Sequence, residues 1–298
     1  MGKFSEKQIM LSGRIFRLAG FGKLSQSLQP KDNIRITTTH YVKRQDSNNF
    51  DRIVRYLNET RKIITPKEFF RFYKHNDSNT ELKGRNLLMT FDDGLYSSYT
   101  AAKEILSKYG IKAIFFVPTM ILELKSKTEM LSFATENIYH NEIPPSQLSE
   151  EEYVVMSKDD LLDLKKDGHY ILPHTHTHCD ISKIKNEEGV KRELIKPKHI
   201  LEELLGEPIE AMAFPDGSEK VVSSYAYAQI KKFYRFAFPA LVGVNHTRTN
   251  PYFFHRDCIH AHYPLSFVKN ILDGVYDPYY YLKMRHLKSK VKAEVLKQ

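Results

Sequence analysis

The chain has 298 residues, of which 41% are hydrophobic and 27% charged, a composition typical of a globular protein with one large α/β domain or two small ones. Its apolar runs are too short for a transmembrane helix, and its N-terminus lacks the apolar core of a signal peptide. The two cysteines, Cys179 and Cys258, are too few for a disulfide framework and fit a reducing compartment, so we expect a cytoplasmic protein.

The formal net charge of +9 is concentrated at the two ends of the chain. Residues 1–31 and residues 283–298 each carry a net charge of +5, which leaves the remainder at −1. The simplest interpretation is a pair of solvated terminal helices. The alternative is that both ends contact anionic lipid at the inner face of the membrane. No nucleic-acid-binding motif accompanies the charge, so we expect no nucleic acid as a partner.

Short apolar runs alternate with segments of helical periodicity along most of the chain. Predicted strands cover residues 34–39, 87–91, 112–117, 169–173, 209–214, 236–240 and 256–262. Predicted helices cover residues 49–60, 97–109, 158–166, 187–205, 223–233, 265–272 and 278–296, and a further helix opens at Pro66. This alternation predicts an α/β fold with a parallel sheet, and its regular repetition favours a barrel over an open sheet.

No linker or internal repeat divides the chain. We therefore predict one barrel domain over residues 32–275, preceded by a basic segment (residues 1–31) and followed by a basic helix (residues 276–298). Residues 119–156 are long, charged and interrupted by Pro144 and Pro145. We interpret them as an insertion near the mouth of the site.

Two predicted strands end in side chains of the kind that bind metal ions. Asp92 and Asp93 follow the strand at 87–91, whereas His174 and His178 follow the strand at 169–173. The i, i+4 spacing of the histidines places both imidazoles on one side of a helical turn. Two histidines and one carboxylate leave positions open on the metal, as in catalytic zinc sites. One aspartate can then be the third ligand while the other acts as a base on metal-bound water.

Each of these features also has a simpler interpretation. An Asp-Asp-Gly sequence at the end of a strand is common in turns and helix caps, without any catalytic role. A histidine-rich turn can be an accident of the surface. Cys179 beside His178 could also belong to a structural Cys/His zinc site, but no second cysteine lies nearby in the sequence. The features become informative through their combination and order.

In that combination the sequence resembles a known family. Residues 90–94 (TFDDG) resemble the first motif of the polysaccharide deacetylases, which are also called carbohydrate esterase family 4 or the NodB-homology domain. Residues 174–178 (HTHTH) resemble the second motif, in which two histidines stand four residues apart. Residues 213–217 (AFPDG) resemble a variant of the third motif. The resemblance spans roughly residues 34–272.

The resemblance implies a distorted (β/α)7 barrel that holds one divalent metal ion. Zinc is the usual ion, and Co²⁺ or Ni²⁺ would also suit the ligands. The matched positions assign Asp93, His174 and His178 as metal ligands and Asp92 as the general base. The implied reaction is removal of an N-acetyl group from a carbohydrate by attack of metal-bound water.

Several positions depart from the family pattern or lack a counterpart in it. Ala213 stands where an arginine often orients the base, and the Asp-x-x-Asp-Trp motif is missing because the chain contains no tryptophan. His260, His262 and His246 are candidates for the general acid. Arg256 could orient the base, although a structural role is favoured.

Within the histidine motif, two further residues have expected roles. Thr175 should support the histidine loop by hydrogen bonding. His176 has no counterpart in the family and should be either a supporting residue behind the ligands or an exposed one.

Two classes of function are consistent with this pattern. The first is a metal-dependent N-deacetylase acting on a polysaccharide, an oligosaccharide or a lipid-linked glycan precursor. The second is a catalytically inactive barrel that binds a glycan or a protein. The altered third motif and the missing Asp-x-x-Asp-Trp motif favour this second class. An amidase acting on a non-sugar substrate would use the same metal chemistry. The intact set of Asp92, Asp93, His174 and His178 favours the deacetylase.

Overall fold

A computed structural model describes Ser27 and residues 29–75, 83–216 and 223–277. The basic segments predicted at the two ends lie almost entirely outside these described residues, as does Gly217 of the third motif. Within the described ranges, no helix is both long enough and apolar enough to cross a membrane.

Eight strands and ten α-helices are found in the described residues. The strands are β1 (Asn33–Thr39), β2 (Lys62–Ile63), β3 (Arg85–Phe91), β4 (Ile114–Val117), β5 (Tyr170–Pro173), β6 (Ala211–Ala213), β7 (Phe236–Phe238) and β8 (Asp257–Cys258). The helices are α1 (Ser47–Thr60), α2 (Pro66–His75), α3 (Tyr96–Glu104), α4 (Lys127–Phe133), α5 (Glu150–Tyr153), α6 (Lys158–Lys166), α7 (Glu187–Val190), α8 (Lys196–Leu205), α9 (Ser224–Phe233) and α10 (Leu265–Leu272).

All named strands pair in parallel. One sheet has the order β5-β4-β3-β1-β8, with the short β2 also paired to β3, and a second sheet consists of β6 and β7. Strand β6 packs beside β5. The segment leading into β8 lies along β7, where the Ala237 amide donates to the Pro251 carbonyl at 2.8 Å. The predicted α/β fold, with a parallel sheet in one domain, is confirmed. In the described residues, no continuous ladder of hydrogen bonds joins β6 to β5 or β7 to β8, so the β6–β7 pair forms a separate sheet.

The core forms where the apolar faces of the helices cover the strands. Helix α1 shows the principle, since its buried residues recur with helical spacing on one face: Phe50, Ile53, Val54 and Leu57. Strand β3 is buried from its second residue to its last, so its faces carry an almost continuous apolar run. Full burial of each such side chain contributes roughly 1.5–3 kcal/mol, which makes this packing the main source of stability.

Two predicted elements differ from the observed ones. The helix predicted over residues 187–205 is divided into α7, a π-helical turn at Lys191–Ile195, and α8. The division occurs beside Pro197, which has no N–H to donate to the helical ladder. The strand predicted over residues 256–262 is limited to β8, with one further ladder bond from the Ile259 amide to the Thr38 carbonyl at 2.9 Å.

The carboxyl ends of the paired strands meet at one edge of the sheet. His40 follows β1, Asp92 follows β3, His174 follows β5, and His260 lies just beyond β8. Parallel pairing brings these ends together although they are far apart in the chain.

Candidate active site

The turn after β3 holds the two aspartates in an unusual backbone conformation. Asp93 has a φ of +71° and Gly94 a φ of +69°, both in the left-handed region. A Cβ atom at Gly94 would lie 2.7 Å from Cδ1 of Ile121, so the close approach of this side chain requires glycine. Left-handed backbone at a non-glycine residue costs on the order of 1 kcal/mol or more and is often found at functional sites.

The histidine loop after β5 is strained in the same way and is held in place by buried hydrogen bonds. Thr175 has a φ of +60°, an outlier for a β-branched residue, and His178 a φ of +58°. The Thr175 hydroxyl accepts from the Cys179 amide at 2.9 Å, so Thr175 supports the loop as expected. The fully buried Glu193 carboxylate accepts from the backbone amides of His176 at 3.2 Å and Thr177 at 3.0 Å.

These two turns bring Asp93, His174 and His178 together. Oδ1 of Asp93 lies 3.1 Å from Nε2 of His178 and 3.7 Å from Nε2 of His174. The three ligand atoms all lie within 4.8 Å of one another, and all three residues are buried. A tetrahedral ion with bonds of about 2.0–2.1 Å sets oxygen and nitrogen ligands about 3.3 Å apart, so the spacing fits a metal ion.

The surroundings of the two histidines suit metal binding. Nδ1 of His178 lies 2.7 Å from the Asn137 carbonyl, a contact that fixes the ring with Nε2 toward Asp93. Burial lowers the pKa of His174 to about 4, so its imidazole is neutral near pH 7 and can offer a lone pair. The pKa of Asp93 is held below its ordinary value, because His40 and His178 outweigh the effect of burial.

Asp92 is held by Arg256 instead of by the histidines. Nη1 of Arg256 donates to Oδ1 of Asp92 at 2.7 Å, and both side chains are buried. The other oxygen, Oδ2, lies 3.8 Å from Nε2 of His174. Burial alone would raise the pKa of Asp92, but the guanidinium of Arg256 outweighs it and lowers the pKa below its ordinary value. Asp92 is therefore an ionised carboxylate with one oxygen fixed and the other directed toward the ligand set.

The contacts of Arg256 fit both roles considered from the sequence, the favoured structural role and the orientation of Asp92. Ala213 lies buried at the end of β6 and has no polar side chain to offer. The guanidinium beside Asp92 comes from the residue before β8. There its Nε also donates to the Pro239 carbonyl at 3.2 Å, and its charge lies 5.3 Å from the centre of the Phe116 ring. Arg256 thus anchors the strand end and orients Asp92 at the same time.

A pocket of about 340 Å³ opens above these groups. Asp92, Asp93, His174 and His178 all line it, as does Arg256. Further lining residues are His40, Tyr41, Tyr139, Phe214, Cys258 and His260.

The three candidates for the general acid have different positions. His260 lines the pocket. His262 is exposed and stacks on His260 with ring centres 5.4 Å apart. His246 is not among the residues that line this pocket, and its carbonyl accepts from the Tyr73 hydroxyl at 3.1 Å. Of the three, His260 is the one placed to face a substrate.

His176 and Asp216 both make contacts outside the ligand set. His176 is buried behind the loop, where Nδ1 lies 2.9 Å from the Thr119 hydroxyl and Nε2 accepts from Lys196 at 2.7 Å. It is therefore a supporting residue, one of the two expected roles. Asp216 lies 2.6 Å from Nε2 of His140 in the predicted insertion, and Asp216 and Tyr139 both line the pocket.

The contributions of Glu193, Asn137, His40 and Cys258 were not predicted. Glu193 lies in a segment predicted only to be a helix, and Asn137 acts through its backbone carbonyl, which has no sequence signal. His40 follows the predicted strand at 34–39, a position that could have indicated the pocket. Cys258 stands inside the predicted strand at 256–262, so its position carried no such signal.

Comparisons with known proteins agree with the resemblance. The sequence pattern of the polysaccharide deacetylase family matches residues 79–233, just over half of the chain. No curated protein sequence matches the chain.

Three similar solved structures illustrate the shared fold. The deacetylase PplD of Streptococcus pyogenes, solved in complex with acetate, is 17% identical with a TM-score of 0.62, over 82% of this chain and 99% of that one.

The other two structures are similar to the same degree. A polysaccharide deacetylase from Bacillus cereus is 19% identical with a TM-score of 0.59, over 80% of this chain and 69% of that one. A de-N-acetylase from Aggregatibacter actinomycetemcomitans is 14% identical with a TM-score of 0.59, over 80% of this chain and 100% of that one. At these identities the similarity is evidence for the fold.

Proposed function

Since this chain belongs to the polysaccharide deacetylase family, we propose that it is a metal-dependent hydrolase that removes N-acetyl groups from a carbohydrate. The observation that carries the proposal is the division between the two adjacent aspartates. Asp93 shares a ligand set with His174 and His178, whereas Asp92 stays outside that set and is held by Arg256. A site that only bound metal would have no use for a second, separately oriented carboxylate.

The metal ion would be held by Asp93, His174 and His178, and zinc suits this mixture of nitrogen and oxygen ligands. When bound, it supplies Lewis acidity that polarises the acetamide carbonyl and lowers the pKa of water. The open side of the site faces the pocket, where a substrate can enter.

Asp92 acts as the general base in this proposal. Its Oδ1 is occupied by Arg256, so Oδ2 is the oxygen free to accept a proton from the attacking water. The fixed guanidinium keeps the carboxylate ionised and prevents it from rotating away. Arg256 is therefore a positioning residue that acts through Asp92.

His260 is the group best placed to protonate the leaving amine. It follows β8 at the same edge of the sheet and faces the pocket. Transfer of a proton to the sugar nitrogen as the C–N bond breaks yields acetate and a free amino sugar.

The walls of the pocket suit a sugar ring. Tyr41, Tyr139 and Phe214 offer aromatic surface above the polar floor, and aromatic faces pack well against the C–H faces of sugars. The basic ends would bring the enzyme to anionic lipid, so a lipid-linked glycan precursor at the inner membrane face is the substrate source that we propose.

Acetate release tests the proposal. The purified protein, loaded with one equivalent of zinc, is incubated with N-acetylated chitooligosaccharides, poly-N-acetylglucosamine, peptidoglycan fragments and a lipid-linked N-acetylated glycan, with and without a chelator. We expect acetate from at least one of them, loss of release with chelator, and recovery when zinc is restored. No acetate from any acetylated glycan, despite measured bound zinc, would instead support an inactive barrel that binds glycan or protein.

A further inference from the structure

A second cluster of metal-ligand side chains lies in the same pocket. His40, Cys258 and His260 each offer one ligand atom, and the three atoms lie within 4.8 Å of one another. Sγ of Cys258 lies 3.8 Å from Nδ1 of His40 and 3.5 Å from Nε2 of His260. All three residues are half-buried and line the pocket. None of them is a ligand of the first site.

The pairing of β1 with β8 builds this cluster. Thr38 is opposite Cys258 in the ladder, and the Thr39 hydroxyl donates to the Ile259 carbonyl at 2.9 Å. His40 and His260 are therefore adjacent in space as the first residues beyond these ladder contacts. The Ser98 hydroxyl also donates to the His40 carbonyl at 3.0 Å, which fixes the backbone there.

The spacing matches that of a tetrahedral metal site with one sulfur ligand. With bonds of about 2.3 Å to sulfur and about 2.0–2.1 Å to nitrogen, a tetrahedral ion sets these atoms about 3.6 Å apart. The two observed distances of 3.8 and 3.5 Å lie on either side of that value. Three protein ligands would leave one position open to the pocket.

The donor atoms also suit a metal ion. One sulfur with two imidazole nitrogens is a ligand set that zinc and other thiophilic ions bind. When the ion is bound, Cys258 is a thiolate and both imidazoles are neutral, so binding releases protons.

We propose that His40, Cys258 and His260 form a second metal site that binds zinc or another thiophilic divalent ion in the same pocket as the first. The single thiolate makes this site chemically different from the first, which offers only nitrogen and oxygen. The chain thus carries two ligand sets of different softness that face one cavity.

The second ion would regulate the first site. This consequence rests on the proposed function, in which His260 protonates the leaving amine. While Nε2 of His260 is bound to a metal ion, it cannot donate a proton. Zinc beyond the first equivalent should therefore lower the rate, and removal of the thiolate should relieve that inhibition.

Cobalt titration tests the second site without reference to activity. Chelator-treated full-length protein is titrated with Co²⁺, and absorbance is followed in the near ultraviolet, where a thiolate–cobalt charge-transfer band appears. We expect the band in the wild type, its loss in Cys258→Ser, and its retention in Asp93→Asn, where it should saturate at one equivalent. His260→Ala should raise the Co²⁺ concentration at which the band develops. This second variant shows that loss of the band in Cys258→Ser does not come from misfolding of the serine variant alone.

Cys179→Ser is the matched control, because the other thiol of the chain donates to the Asp180 carbonyl at 3.2 Å instead of joining the cluster. Its band should equal that of the wild type. No band in the wild type, a band that persists in Cys258→Ser, or a band lost in Cys179→Ser would each overturn the second site. If the wild type shows the band, but neither the wild type with one equivalent of zinc nor zinc-loaded Cys258→Ser releases acetate, the proposed function is overturned and the second site stands.

Discussion

Replacing Arg256 by methionine should destabilise the protein mainly through the carboxylate that it leaves behind. The Arg256–Asp92 pair has a 2.7 Å contact, and the side chains are 1% and 4% exposed. Breaking a buried pair from one side costs about 3–5 kcal/mol, because the remaining charge is buried without a partner. We therefore expect Arg256→Met to lower the free energy of unfolding by about that amount.

A double-mutant cycle separates this effect from the other contacts of Arg256. In an Asp92→Leu background no carboxylate is left unpaired. Arg256→Met should then cost only about 1–2 kcal/mol, for the lost hydrogen bond to the Pro239 carbonyl and the lost contact with Phe116. The coupling energy between the two positions should therefore be roughly 2–3 kcal/mol.

Urea unfolding of the four proteins measures the cycle. All of them are studied in chelator, so that metal binding to the folded state does not contribute to the measured stability. If Arg256→Met has the same cost in both backgrounds, to within about 0.5 kcal/mol, the two side chains are not coupled. The idea that Arg256 holds Asp92 would then be wrong.

Three further predictions concern the supports of the site and the ends of the chain. Glu193→Ala removes the acceptor for two loop amides and should weaken zinc binding about 10–100-fold, measured by competition with a chromogenic chelator, and unchanged affinity would refute the supporting role. Gly94→Ala should cost about 1–3 kcal/mol in urea unfolding, because it combines a φ of +69° with a 2.7 Å clash against Ile121, and Gly84→Ala, with a φ of +76° but open space around its Cβ, is its matched control. Deleting residues 283–298 should reduce partitioning onto anionic vesicles by up to about 1 kcal/mol per basic residue removed, and equal sedimentation of the full and shortened chains would exclude membrane contact through this end.

The ligand set could be predicted from the sequence because each of its parts is local. Asp92 and Asp93 stand together after one apolar run, and His174 and His178 stand together after another. The strand-and-helix alternation alone indicates that such strand ends share an edge. Whether their atoms reach one another depends on two strained turns, whose left-handed residues Asp93, Thr175 and His178 carry no reliable sequence signal.

The contacts between distant segments could not be predicted in this way. Arg256 reaches Asp92 across 164 residues, and Cys258 reaches His40 across 218. Each contact requires β8 to lie beside β1, and β8 has only two residues with a weak strand pattern. The predicted strand over residues 256–262 was too long, so it could not indicate which side chains end at the edge of the sheet.

The division of labour between the two aspartates is tested most directly by comparing Asp92→Asn with Asp93→Asn. Zinc content after dialysis and the rate of acetate release are measured on the same samples of each. We expect Asp92→Asn to keep its zinc while the rate falls about 10²- to 10⁴-fold, the usual contribution of a general base. We expect Asp93→Asn to lose both the zinc at this site and the rate. Loss of that zinc in Asp92→Asn, or a rate close to that of the wild type in either variant, would contradict the assignment of Asp92 as the base and Asp93 as the ligand.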